Sequence, residues 1–158
     1  MNRVPVTKAG HEALRNELKR LKTIDRPRIS REIGVAREHG DLSENAEYHA
    51  AKDKQGLVEA RISYLEDRLS RAEVIDPAVL SGERVVFGAT VVLLDLDNDV
   101  EVTYRVVGED EADLERGLIS ISSPIARAMI GKVVDDEVEL KTPRGSRRYE
   151  ILEVRFER

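Results

Sequence analysis

Four carboxylates, Glu38, Asp41, Glu44 and Glu47, crowd the segment AREHGDLSENAEYHAA at residues 36–51. His39 and His49, two of the chain's three histidines, stand among them, with Gly40 near the middle. Acids at this spacing can do two kinds of work. Asp41-Leu42-Ser43-Glu44 fits a capping box, in which Asp41 is the N-cap and Glu44 reaches back to the cap residue's N–H. Acids in a first helical turn also complement the helix dipole. The same two side chains are hard oxygen ligands, and Mg²⁺ is commonly held by one or two carboxylates plus water and phosphate oxygens. Two carboxylates alone make a weak, open half-site, useful where other ligands and a phosphate already wait. Zinc is a poor fit, because the histidines are ten residues apart and the chain has no cysteine. Spacing by itself leaves the structural and the metal readings both open.

The flanking sequence says what would carry these acids. Downstream, Tyr48, Ala51, Gln55, Val58, Ile62, Leu65, Leu69 and Ala72 recur at alternating steps of three and four, with mostly charged residues between. That is the narrow seam of a helix with one partner helix. Upstream, Leu14, Leu18, Leu21, Asp25, Ile29, Ile33 and Ala36 supply the partner, with one step of four where a three belongs. Such a stutter locally unwinds a supercoil, and Pro27 should kink the helix at the same place. Thr7 is the expected cap of the first helix, and Gly40 its end. The second helix is expected over residues 42–73, making an antiparallel hairpin whose tip stands free in solvent.

Beyond residue 73 the pattern changes. IDPAVLSGE has the Pro, Ser and Gly of a linker. Strands are expected at residues 84–96, 100–107, 133–141 and 147–156, paired as two hairpins by the turns LDNDV and TPRGS. Between them SSPIARAMIGK reads as a short helix, with Ser123 as N-cap, Pro124 at the first position and Gly131 beyond the end. The expected fold is a two-domain α + (α+β) chain. It comprises a coiled-coil hairpin at 1–76 with its acidic tip at 36–51, a linker at 77–83, and a small antiparallel β domain with a short helix at 84–158.

Charge follows the same division. Residues 1–75 hold 15 lysines and arginines against 13 acids, and residues 76–158 hold 11 against 18. Within residues 1–28 the count is 8 against 3, which suits a polyanion or an acidic partner at that end. The most apolar run, VVFGATVVLL, is too short to span a bilayer, and the N-terminus lacks a secretory signal. With no cysteine to form disulfides, a cytoplasmic protein without a membrane is expected.

The segment AREHGDLSENAEYHAAKDKQG resembles the tip of the bacterial transcript cleavage factors of the Gre family. The leucine after Asp41 and the EYHAA run are similar to the GreA type rather than the GreB type. The VPVT start, FGATV, YRVVGEDEAD and LISISSPIARAMIGK extend the resemblance over the chain. It implies a factor that is not itself an enzyme and that acts, as a monomer, on bacterial RNA polymerase at the rim of its secondary channel. The hairpin would reach toward the extruded 3′ end of the nascent RNA in a backtracked complex. Asp41 and Glu44 would be the catalytic acids, helping to hold a second Mg²⁺ shared with the polymerase and not stably bound by the free protein. The C-terminal domain would be FKBP-like and would dock through Ser122, Ser123 and Pro124. Ser122 stands where GreB-type proteins carry an aspartate. Arg37 and Lys52, flanking the tip, would lie near the RNA. Within the same fold the alternative is a channel-binding inhibitor of polymerase. A prolyl isomerase or a coiled-coil adaptor are more distant readings.

Overall fold

The computed structural model describes residues 2–157, the side chain of Ser43 excepted, so residues 1 and 158 of the expected domains lie outside the description. The chain forms two compact units: His11–Arg71, and Asn2–Gly10 together with the chain from Ala72 onward.

The first unit is helical. Helix α1 (Lys8–Arg20) enters it and continues through a π-helical stretch, Leu21–Asp25, into α2 (Arg26–Arg37). Helix α3 (Ala46–Arg71) returns. The cross-helix ion pairs Glu17–Arg61, Arg26–Glu59 and Glu32–Lys54, at 2.7, 2.8 and 3.6 Å, descend on α3 as they ascend on the first arm, so the arms are antiparallel. Leu14, Leu21, Ile29, Ile33 and Ala36 are buried from one side and Ala51, Ile62 and Leu65 from the other. The rest of the expected seam, Asp25 and Gln55 included, is at least half-buried. The stutter takes the form of the π-helical stretch: the N–H of Arg26 reaches the carbonyl of Leu21, five residues back. Pro27 has no N–H to give the preceding turn, which removes one tie that would hold that turn tight.

The second unit starts at the N-terminus. Strand β1 (Val4–Thr7) pairs in parallel with β2 (Ala72–Ile75), from Val4 opposite Ala72 to Thr7 opposite Ile75. The helix expected over residues 42–73 therefore stops at Arg71, and the N-terminal strand groups with the second unit rather than with a 1–76 domain. Thr7 caps α1, accepting the N–H of Gly10 at 3.1 Å. Glu111 reinforces the strand end: its carboxylate accepts the N–H groups of Thr7 and Gly108 at 3.0 and 2.8 Å and the Thr7 hydroxyl. It lies so close over Gly10 that a Cβ there would come within 2.2 Å of its carboxyl. The expected linker opens with an ordered turn, Pro77–Val79, in which Asp76 accepts the N–H of Ala78 and Pro77 is buried.

Five strands build the main sheet, in the order β5-β4-β3-β7-β6. Strands β3 (Thr90–Asp95) and β4 (Val100–Val107) form one antiparallel hairpin, and β6 (Glu137–Thr142) and β7 (Gly145–Arg155) the other. Pairing of β3 with β7 joins them. The sheet is mixed rather than wholly antiparallel, because β5 (Leu118–Ser120) lies parallel to β4 after the chain doubles back. Three residues are too few to show alternation, so this strand has no sequence signature. Helix α4 (Pro124–Met129) buries Ala126 and Met129 in a core with Val85, Val91, Leu93, Val106, Val138 and Ile151. No described helix is long and apolar enough to cross a membrane.

Candidate functional site

The tip turn is built from the end of α2 upward. Ala36 is buried, and the N–H groups of Glu38, His39 and Gly40 each return to a carbonyl three residues back. Gly40 then takes a φ of +101°, a conformation that a residue without Cβ reaches at little cost, and the helix ends. Leu42–Glu44 make a single 3₁₀ turn, and α3 starts only at Ala46.

The cap of α3 is therefore Asn45, not Asp41. Its Oδ1 accepts the N–H of Tyr48 at 3.0 Å, while its Nδ2 donates to the carbonyl of Ala36 at 2.7 Å. One amide thus caps the incoming helix and ties it to the last turn of the outgoing one. A carboxylate could accept but never donate, so Asp41 could not have filled both roles. Asn45 stands three residues before the first seam residue of α3, and that spacing was the available signal for the cap.

With the cap supplied elsewhere, Asp41 and Glu44 stand exposed and share one open depression with His39, Asn45, Ala46 and Glu47. His39 Nε2 lies 3.6 Å from Glu47 Oε2. Among the described residues, no three histidine, aspartate or glutamate side chains are grouped so as to hold a metal ion. Two exposed carboxylates thus line the depression.

Arg37 and Lys52 lie outside the lining of that depression. The Arg37 guanidinium sits 6.0 Å from the centre of the Tyr48 ring, and Lys52 donates to Gln55 at 3.1 Å. A second open cleft, which sequence reading missed, places Arg28, Arg31 and Lys54 around Val35, Ala50 and Ala51. Its signal was Val35, an apolar residue off the seam and 56% exposed.

In the sheet unit, Ser123 caps α4, accepting the N–H of Ala126 at 3.3 Å, and Pro124 occupies the first helical position. Ser122 is exposed, with its hydroxyl 2.8 Å from that of Ser120. Its N–H also donates to Ser120 Oγ, so the loop before α4 is braced by its own side chains.

Residues 4–74 match the family described as transcription elongation factor, N-terminal, and residues 80–156 match transcription elongation factor, GreA/GreB, C-term. The chain is 58% identical over 157 residues to a transcription elongation factor GreA of Alkalilimnicola ehrlichii, covering 99% of both. It is 59% identical over 156 residues to the protein of that name from Cereibacter sphaeroides, again covering 99% of both. Among solved structures it is similar to GreA factor homolog 1 of Thermus thermophilus, with 32% identity, 97% and 99% of the two chains covered, and a TM-score of 0.45.

Proposed function

The chain belongs to the GreA/GreB family of transcription elongation factors, and from that premise we propose that it binds bacterial RNA polymerase and stimulates cleavage of the 3′ end of backtracked RNA. It acts as a factor and supplies part of a site that the polymerase completes. The hairpin enters the secondary channel tip first, while the loop Ser122–Pro124 docks the sheet unit at the channel rim. The site of action is the cytoplasm, where bacterial transcription runs, and one copy of the chain suffices.

Asp41 and Glu44 present two oxygen ligands of the hardness that Mg²⁺ prefers, on a surface open enough to meet a second set of ligands. When bound, such a second Mg²⁺ would activate water and stabilise the leaving oxygen in phosphodiester hydrolysis. The two carboxylates hold their share of that charge at the tip, and the tip brings it to the RNA. Arg37 and Lys52 flank the path of the extruded strand, where cations favour a phosphate backbone.

The observation that carries this reading is the division of labour in the turn. Asn45 caps the helix, and Asp41 and Glu44 are exposed in one open depression. A stalled polymerase complex with Mg²⁺ should release a short 3′ RNA fragment when the protein is added. Asp41→Asn and Glu44→Gln should bind the complex and not release it. Wild-type protein that arrests elongation without shortening the RNA would select the inhibitor reading instead.

A further inference from the structure

We infer that Asn45 is a positioning residue for the acidic pair, and that its amide is needed as a brace across the tip and not only as a helix cap. The inference rests on Asp41 and Glu44 being the working acids.

The geometry separates the two functions of this side chain. The bond from Tyr48 N–H to Oδ1 is local, three residues long, and is what any N-cap makes. The bond from Nδ2 to the Ala36 carbonyl spans nine residues and closes residues 37–44 into a ring. Both acids lie on that ring, Glu44 immediately before the brace. Ala36 also accepts the N–H of His39 at 3.1 Å, so both lone pairs of its carbonyl face the turn. Asn45 is half-buried at the joint, beside exposed acids.

A half-site that must meet ligands on another molecule gains from being held in place beforehand. Disorder in the turn would spread the two carboxylates over many separations, few of them suited to one cation. Asparagine is the residue that can accept at the cap and donate across the turn at once. Serine caps about as well as asparagine but is too short to do both, and aspartate cannot donate.

Asn45→Ser isolates the brace without adding charge, and Asn45→Ala removes brace and cap together. In the free, full-length protein, amide hydrogen exchange of residues 37–44 should quicken in Asn45→Ser, while exchange along the α3 seam stays as in the wild type. In the stalled-complex assay the variant should compete for polymerase within about twofold of wild type. It should need about tenfold more Mg²⁺ for half-maximal cleavage, the size of effect seen for groups that orient metal ligands. Unchanged exchange in residues 37–44 overturns the inference, as does a normal Mg²⁺ requirement in a variant whose exchange has quickened. Activity that falls only in step with polymerase binding overturns it too. Asp41→Asn in the same assay keeps the premise separate: if that variant cleaves normally the metal reading has failed, whatever Asn45 does.

Discussion

In the turn between β3 and β4, Asp95 is 6% exposed, and its carboxylate accepts the N–H groups of Asp97 and Asn98 and the side-chain amide of Asn98, at 2.9, 3.2 and 3.1 Å. At the tip of the helical unit, Asp41 and Glu44 are exposed, and the amide of Asn45 caps α3 and ties it to Ala36. Both turns are rich in acids. In one a buried acid holds the backbone, and in the other a neutral side chain caps a helix beside exposed acids. A buried carboxylate saturated by N–H donors has little capacity left for a ligand, whereas one at the surface can be reached from solvent. Which acid a ligand can reach thus depends on where the fold buries it.

The contrast can be broken most severely by an acid with neither role. Leu65 is fully buried in the seam, and Leu65→Asp would put a carboxylate into that apolar contact. The expected cost is about 3–5 kcal/mol, from the lost apolar packing and the unpaired charge. Circular dichroism melting should show the helical unit destabilised and cleavage stimulation lost with it. A helical monomer with full activity would contradict the seam.

Next come the tip acids. Asp41→Asn and Glu44→Gln should lower cleavage stimulation by more than about tenfold, a loss reached even by groups one step removed from a metal. Stability should change by well under about 1 kcal/mol, because the sites are exposed and each amide keeps an acceptor oxygen. Raising Mg²⁺ should rescue each single variant in part and the double variant less. A tip variant that melts early while its folded fraction cleaves normally would make the two turns alike.

The reciprocal change is Asp95→Asn. An amide can replace only part of the acceptor set, so the sheet unit should melt several degrees lower, while the folded protein stimulates cleavage as before. Loss of cleavage without loss of stability would give Asp95 a role that its burial does not suggest.

The smallest effect is on pH. Burial acts to raise the Asp95 carboxyl, but hydrogen bonds from the Asn98 side chain and from the N–H groups of Asp97 and Asn98, with the charge of Arg147, hold it below the usual range. Its contribution is then complete above the ordinary aspartate value near 4 and is lost as pH falls through the lower folded value. Melting temperature followed from about pH 6 to pH 2 should fall less steeply in Asp95→Asn than in the wild type. Equal slopes would remove Asp95 from the account of acid stability.

Much of this architecture was legible beforehand. The heptad steps identified every seam position, and the spacing of four at Asp25 anticipated the place of the π-helical stretch. Both β-hairpins lay where turn residues separate alternating runs. Asp41 and Glu44 were legible as paired acids, but that neither is the cap of α3 was not. Capping depends on which residue starts α3, and Asp41 and Asn45 both satisfy the local rule. Only the approach of Asn45 to the Ala36 carbonyl, nine residues away in sequence, separates them.

By itself the sequence determined whatever depends on short-range periodicity: two helices with one thin seam, two hairpins, the Ser123–Pro124 helix start and a cluster of acids at one turn. Tertiary structure alone decided the contacts between distant segments. It paired Val4–Thr7 with Ala72–Ile75, laid the three residues of β5 beside β4, and brought Glu111 to Thr7 across 104 positions. It also made Asn45 the cap and left the two acids exposed. Local pattern reports which face of an element is apolar. A hydrogen bond between residues far apart in the chain requires both partners to be brought into place, and no periodicity encodes that meeting.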